Sequence, residues 1–409
     1  MGDILAAQIR CAQSRTNSIQ TKMPRVTKLV EMRDVISVDI SPMANRSVGI
    51  GKSVSGLMKE LPATALSEHI LVRPYFRKAL GGLAQYGLAD TELLRMHAPL
   101  AAESWLKRLG LIERLTKAPL FHATDFYLPL KPLTPAISTV YDVIYATQSE
   151  GTGDQARIKK AMDSFVPQCV RVISCSEYSA KAFCDLYGYP MERVSVIGCG
   201  LDPTYAPAAA PQAAGSPPYF LAVSCNTTRK NTPRLIQAFL RYALSGGAYD
   251  LTLAWTLPDD LRAAVEQAGL AHRVHALGKV SEDRLIDLYQ YTVCVMFPSL
   301  YEGFGFPVLE ALACGVPVMT TRRSSLPEVG GDIPIYVDGE DVDEMVRVMW
   351  AFERGDMAGV ASRTRVEGPR RAARFTWRRC AEQTVETYLS AFAELKAKPW
   401  QPLKLERPR

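Results

Sequence analysis

The chain has 409 residues, 47% of them hydrophobic and 22% charged, with a formal charge of +6 at neutral pH. These values exclude a disordered chain, a coiled coil and a collagen-like fibre, and a chain of this length buries enough surface to fold without a disulfide or metal staple. No run approaches about 18 uninterrupted apolar residues, so no membrane-spanning helix is expected. The start, MGDILAAQIRCAQSR, lacks the apolar core and small-residue cleavage site of a secretory signal, which points to the cytosol. The nine cysteines are scattered without a C-x-x-C pair and read as reduced, mostly buried thiols rather than zinc ligands. The modest positive charge permits an anionic partner, a nucleotide or a lipid surface, without demanding one.

Residues 1–33 are polar and aperiodic and read as a poorly ordered lead-in. Residues 35–40, VISVDI, form a β-branched run fit for a buried strand, followed by a turn of small residues and a helical pattern through Val54, Leu57, Met58 and Leu61. Strand signals recur at 136–141 and 170–175, the second before a helix over 176–187. Strands alternating with helices imply parallel sheets wound by crossover helices. At 203–218 the composition shifts to PTYAPAAAPQAAGSPP, whose prolines cannot build a core. A second alternation follows, with strands at 219–223, 251–255 and 294–297. No period of 20 to 50 residues repeats, so a solenoid is excluded. The expected organisation is an α/β domain at 34–203, a linker at 204–218, a second α/β domain at 219–374, and a C-terminal helix with a basic tail at 375–409.

The densest chemical signal is 297–331, FPSLYEGFGFPVLEALACGVPVMTTRRSSLPEVGG. A strand ends at Phe297, a loop with Gly303 and Gly305 follows, and Pro307 suits the first turn of a helix that Gly315 can end in a left-handed conformation. Strand, glycine loop and helix N-terminus together make an anion site, because free N–H groups and the helix dipole favour phosphate. Glu302 and Glu310 stand seven residues apart across that loop. Such a pair is ordinarily a loop charge and a solvated helix residue. Among these glycines and prolines, a carboxylate at 310 can accept the hydroxyls of a ribose while the loop amides hold a diphosphate.

This stretch resembles the donor-site signature of retaining glycosyltransferases of family four, PSxxEGFGxPxxEAxAxGxPV, and matches it residue for residue. The resemblance covers most of 35–390 and implies two Rossmann-like domains facing each other across a cleft, the GT-B fold, with a C-terminal crossover helix. Arg229-Lys230-Asn231 resembles the element whose cations neutralise the donor diphosphate. Residues 195–202, SVIGCGLD, resemble the V-I-P-N-G-V-D element before the hinge, with Gly198-Cys199 in place of proline and asparagine. Phe375-Thr376-Trp377 resembles the F-S-W element that opens the crossover helix.

The resemblance implies donor contacts from Glu310, Gly303, Phe304, Gly305 and Phe306, and from a glycine loop with Gly49 and Gly51 across the cleft. Catalytic roles fall to Glu302, Lys230, Arg229 and His122, the last at a strand end near the donor sugar. Gly51-Lys52-Ser53 ends like a Walker A motif, but position 46 is Arg46 where that motif needs glycine. Asp142 stands where relatives have the aspartate of a His-Asp pair, preceded here by Tyr141, and two readings stay open, a role in the site or a cap on the next turn. Asp341-Val342-Asp343 spells D-x-D but opens an amphipathic helix pattern and reads as structural.

The implied activity is retaining transfer of a hexose from a GDP- or UDP-sugar, GDP-mannose foremost, to a glycan or polyprenyl-diphosphate-linked acceptor. No metal, no other cofactor and no nucleic acid are expected. Residues 105–117, WLKRLGLIERLTK, suit either an amphipathic helix on an anionic membrane surface or a core-facing helix, and the first would put the enzyme on the cytoplasmic face of the inner membrane. Two rival classes stand beside this reading: a non-hydrolytic sugar-nucleotide epimerase on the same fold, and a non-catalytic nucleotide-sugar or glycan-binding protein.

Overall fold

The computed structural model describes residues 34–45, 49–76, 94–95, 117–126, 134–147, 153–210, 216–223 and 228–405. The described residues from 35 onward form one compact unit. Its first half runs β1 (Asp34–Asp39), α1 (Gly49–Ser67), β2 (Ile70–Phe76), β3 (Leu94–Arg95), β4 (Leu120–Ala123), β5 (Ala136–Val140), α2 (Ile144–Thr147), α3 (Gly153–Phe165), β6 (Cys169–Ser174), α4 (Glu177–Tyr187) and β7 (Val194–Val196). The second half runs β8 (Tyr219–Ala222), α5 (Thr232–Leu244), β9 (Asp250–Leu253), α6 (Asp259–Gln267), β10 (Val274–Ala276), α7 (Glu282–Tyr291), β11 (Cys294–Phe297), α8 (Phe306–Ala313), β12 (Val318–Thr321), α9 (Leu326–Gly330), β13 (Ile335–Val337), α10 (Val342–Glu353) and α11 (Ala358–Ala372). A last helix, α12 (Trp377–Ala397), returns to the first half.

Each half holds one sheet, in the order β3-β2-β1-β4-β5-β6-β7 and β10-β9-β8-β11-β12-β13. The pairings with a described register are all parallel, for example Val38 beside His122 and Phe297 beside Thr320. Both orders are doubly wound, with the reversal beside β1 and β8, and such sheets bind ligands at the carboxyl ends of their strands. Helices cover both faces, so the strands are apolar on both sides: Ile36 and Val38 of β1 and Val295 of β11 are wholly buried.

The two halves share a core. Ile36, Val54, Leu57, Val308, Leu312, Trp377 and Tyr388 belong to one buried cluster that passes through Ile197, Cys199 and Tyr205 on the connecting chain. Trp377 anchors it: a Cβ on Gly56 would fall 2.0 Å from the Trp377 ring, and one on Gly200 would fall 2.3 Å from its backbone nitrogen. Only glycine lets α1 and the connecting chain come that close. Thr376 caps α12, its hydroxyl accepting from the N–H of Arg379.

The predicted linker is docked over its described first half. Tyr205 is buried, its ring lies 5.9 Å from that of Tyr289, and the Ala206 carbonyl accepts from Gln290 on α7. All seven described cysteines are free, and six are buried. Among the described residues no helix is long and apolar enough to cross a membrane. The amphipathic stretch 105–117 lies outside the described residues but for Lys117.

Candidate active site

The chain leaves β11 at Phe297 and turns back through Ser299 to Glu302 at the strand's carboxyl end. Glu302 is 6% exposed, and Lys230 Nζ lies 2.5 Å from its Oε1 while Arg229 Nη1 lies 3.3 Å from its Oε2. Ser299 Oγ donates to Oε1 at 2.6 Å. Burial alone would push this carboxyl up. The Lys230 ammonium, then the Arg229 guanidinium, together with the hydrogen bonds of Lys230 and Ser299, outweigh burial and hold it below the usual carboxylate range. Two cations thus face Glu302 at the mouth of the sheet, with the Asp142 carboxyl within electrostatic reach of all three.

Local chemistry fixes both segments of this cluster. Asn231 sits in the left-handed region with φ 60° and is 1% exposed. Its Nδ2 donates to the carbonyls of Pro298 and Gly339 at 3.1 and 2.6 Å, pinning the segment 229–231 to the ends of β11 and β13. The Leu300 N–H donates to the Arg229 carbonyl at 2.7 Å. Ser325 Oγ lies 2.9 Å from the carbonyls of both Glu302 and Phe304, and the Glu302 N–H donates to Ser324 Oγ. Gly305 then takes φ +105° and opens α8, with Pro307 in its first turn. The N–H groups of Gly305 and Phe306 have no acceptor among the described residues, so a helix N-terminus with open donors stands beside the cations.

Glu310, one turn into α8, is 4% exposed and engaged at both oxygens. Tyr289 donates to Oε2 at 2.7 Å, and Lys52 Nζ lies 2.6 Å from Oε1. Lys52 comes from α1 of the other domain. It also lies 2.9 Å from Glu282 Oε1 and 3.0 Å from the Tyr205 hydroxyl, which itself donates to Glu282. Burial would lower its ammonium; Glu310 and then Glu282 raise it above its ordinary value. Sequence reading gave Lys52 no role, since its partner stands 258 residues away.

The loop also meets the first domain directly. The Gly303 carbonyl lies 2.7 Å from Ser176 Oγ, 3.2 Å from Ser179 Oγ and 3.1 Å from Cys175 Sγ. A Cβ at 303 would fall 2.2 Å from the Tyr141 carbonyl oxygen, so this approach needs glycine. Glu328 on α9 accepts the N–H groups of Glu177 and Tyr178, the first two residues of α4, at 2.7 and 2.8 Å. Asp142 lies beside Gly303 and caps its own turn through the Ile144 N–H at 3.1 Å. Burial, partly opposed by that bond, pushes its carboxyl up.

Glu302, Arg229 and Lys230 therefore form one cluster that continues through Gly303, Gly305 and Phe306 into α8, Glu310 further along α8 forms a second one with Lys52 and Tyr289, and Phe304 packs on Phe375 at 5.8 Å. Two other expectations change, and one holds. His122 does not join the cluster. It lies within β4, is wholly buried, and has both ring nitrogens occupied, Nδ1 by the Tyr388 hydroxyl at 2.6 Å and Nε2 by Thr139 Oγ1 at 2.8 Å. Burial lowers its pKa to about 3, so it is a neutral core residue turned toward α12. Gly49 and Gly51 belong to the first turn of α1 rather than to a loop, and Lys52 is the side chain that this turn sends to Glu310 of the second half. Asp341 of the D-x-D triplet caps α10 through the Glu344 N–H, and Asp343 pairs with Arg241 at 2.7 Å, as read from the sequence.

Known proteins frame this geometry. The model for "Glycosyltransferase Family 4" matches residues 49–205, and that for "Glycosyl transferases group 1" matches residues 208–354. The O-antigen chain mannosyltransferase B of Escherichia coli is 28% identical over 288 residues, covering 66% of this chain and 74% of that protein. The serotype-specific mannosyltransferase WbdA of the same species is 31% identical over 182 residues, covering 42% of this chain and 21% of that protein. Among solved structures, the Anabaena protein HepE in complex with UDP and glucose superposes with a TM-score of 0.65 at 18% identity, covering 88% of this chain and all of that one.

Proposed function

From the premise that this chain belongs to the family 4 and group 1 glycosyltransferases and has their GT-B fold, we propose that it moves a hexose from a nucleotide-diphosphate sugar with retention of anomeric configuration. The carrying observation is the Arg229–Lys230–Glu302 cluster beside the open N-terminus of α8. Glu302 holds the two cations in place before the donor arrives, so their reorganisation is already complete. A diphosphate seated there meets Lys230, Arg229 and the amides of Gly305 and Phe306, and all of these interact more strongly as its charge grows on departure. Such preorganised stabilisation is commonly the largest catalytic term.

Glu310 receives the ribose hydroxyls, with Tyr289 fixing the carboxylate. No side chain is assigned as nucleophile: the departing phosphate accepts the proton of the acceptor hydroxyl on the face it leaves. Lys230 and Arg229 supply the charge that a divalent ion supplies in D-x-D enzymes, so transfer proceeds without metal. Mannose carried by GDP is the leading donor, supported by the two mannosyltransferase relatives, and a glycan or polyprenyl-diphosphate-linked saccharide is the acceptor. The enzyme works in the cytoplasm, at the inner-membrane face where such acceptors are held.

The test is titration and turnover with a panel of GDP-, UDP- and ADP-sugars, with the product's anomeric configuration read by NMR. GDP-mannose is expected to bind most tightly and to give an α-linked product in the presence of EDTA. Activity lost in EDTA and restored by Mg²⁺ or Mn²⁺ would remove the metal-free part. Turnover of donor without any acceptor would favour the epimerase instead.

A further inference from the structure

Three cations remain that the donor site does not use. Where β7 passes into the connecting chain and α12 begins, a recess of about 330 Å³ is lined by Val196, Gly198, Arg371, Arg374, Arg379 and Gln383, with Phe375 and Thr376 at its base. That volume falls within the range of small-molecule sites, about 300–1,000 Å³. No carboxylate lines it. Among the described residues the guanidinium groups of Arg374 and Arg379 have neither an ion pair nor a hydrogen bond, and Arg371 reaches the carbonyls of Glu328 and Val329.

Several other arginines nearby are paired. Arg363 pairs with Glu367 at 2.7 Å, Arg378 with Glu382 at 3.0 Å and Arg347 with Asp341 at 3.2 Å. A second recess of similar size, about 350 Å³, holds Arg322 and Arg323, but Arg322 stacks over Tyr336 and Arg323 pairs with Glu340 at 2.9 Å. In the first recess, burial and then the like charge of Arg374 draw the Arg371 guanidinium below its usual range. Asp332 opposes this at Arg371, but no carboxylate pairs with Arg374 or Arg379 among the described residues, and a multivalent anion relieves like charges gathered in this way.

We infer that the recess between β7, the end of α11 and the start of α12 is a second anion site, which binds the phosphate or diphosphate group of a ligand other than the sugar donor. Guanidinium forks suit phosphate oxygens, which they engage through two parallel bonds. The Gln383 side chain adds a neutral amide to the wall. The recess adjoins the donor loop: Gly198 lies against the Phe375 ring, and that ring packs on Phe304. The ligand is either a phosphorylated ester with its organic part in the cleft or free inorganic phosphate, and the two share the same contacts.

The test is calorimetric titration of inorganic diphosphate into the full chain at low ionic strength, with UDP or GDP saturating the donor site. A 1:1 binding event is expected beside the nucleotide. The double variant Arg374→Gln/Arg379→Gln is expected to weaken it about tenfold or more, the loss of at least one charge-assisted bond. Arg378→Gln, which removes a paired arginine outside the recess, is the control and should leave affinity unchanged. Both pocket arginines are exposed and unpaired among the described residues, so an unchanged melting curve is expected for the double variant. A wild-type chain that binds no diphosphate beside the nucleotide, or a double variant that binds as the wild type does, overturns the inference and leaves the donor site untouched. If neither UDP nor GDP binds, the donor reading fails by itself, and arginine-dependent diphosphate binding still supports the recess. Farnesyl diphosphate separates the sources: tighter binding than the inorganic ion identifies an ester, and equal or weaker binding identifies the free anion.

Discussion

Lys230→Met removes the ammonium that Glu302 holds and keeps most of the apolar stem. The two side chains are 9% and 8% exposed, so the small value of a surface pair does not apply. Removing one partner of a buried pair costs about 3–5 kcal/mol when the other charge is left alone. Arg229 at 3.3 Å and Ser299 at 2.6 Å remain, so the expected loss is about 2–3 kcal/mol at pH 7, below that range. The pH dependence is specific. The folded pKa of Glu302 lies below its ordinary 4.5, so its contribution is present above that value and is lost as pH falls through the folded one. The variant loses much of this depression, and its deficit should be full at pH 7 and narrow from about pH 4.5 downward. Urea unfolding of the donor-free proteins at pH 7 and pH 4 measures the deficit. Initial rates should show kcat lower by about 10²–10³. A variant as stable as the wild type at pH 7, a deficit that does not shrink in acid, or an unchanged kcat would refute the reasoning.

Glu310→Gln should raise the donor KM more than it lowers kcat, because a ribose contact exists equally before and during transfer; Glu302→Gln should fall mainly on kcat, and donor titrations with initial rates separate the two. Lys52→Met should lower stability by about 1–3 kcal/mol, since it deserts a carboxylate whose side chain is 5% exposed. Glu282→Gln, at a side chain 53% exposed, should cost less than about 1 kcal/mol, and thermal unfolding compares them. His122 stays neutral in the fold down to about pH 3 but titrates near 6.5 when unfolded, so the unfolded chain binds more protons in that window and stability drops as the pH is lowered through it, by up to about 1.4 kcal/mol per unit. His122→Asn should flatten this slope while keeping kcat per folded molecule within about twofold, which separates a core role from a catalytic one.

The doubly wound architecture was legible wherever strands were long or strongly β-branched, as at 35–40 and 170–175. β7, β10 and β13 have three residues each, too few to display a period, and they exist because a neighbouring strand offers a ladder. The donor loop was legible because its glycines and prolines impose their own geometry. His122 was misread for a different reason: a four-residue strand shows which residues are buried but not which face meets the cleft, and here α12 takes that face through Tyr388. The loop at Gly49 and Gly51 came from the resemblance, and here the helix read from Val54 to Leu61 simply begins earlier and takes both glycines into its first turn. Lys52 was invisible because a long-range ion pair leaves no local pattern.

Helix α4 belongs to one domain, yet the acceptor for its first two amides is Glu328 of the other. Those amides are consequently a built-in reporter of domain separation. With the halves together, the N–H groups of Glu177 and Tyr178 are held against exchange with solvent; once the halves part, they are the first donors of α4 to be released to water. Hydrogen–deuterium exchange at these two positions would thus count opening events without any label. For chimeras between relatives, the same contact means that a transplanted second half without a carboxylate at this position gives up two bonds between the halves and leaves the first amides of α4 to water.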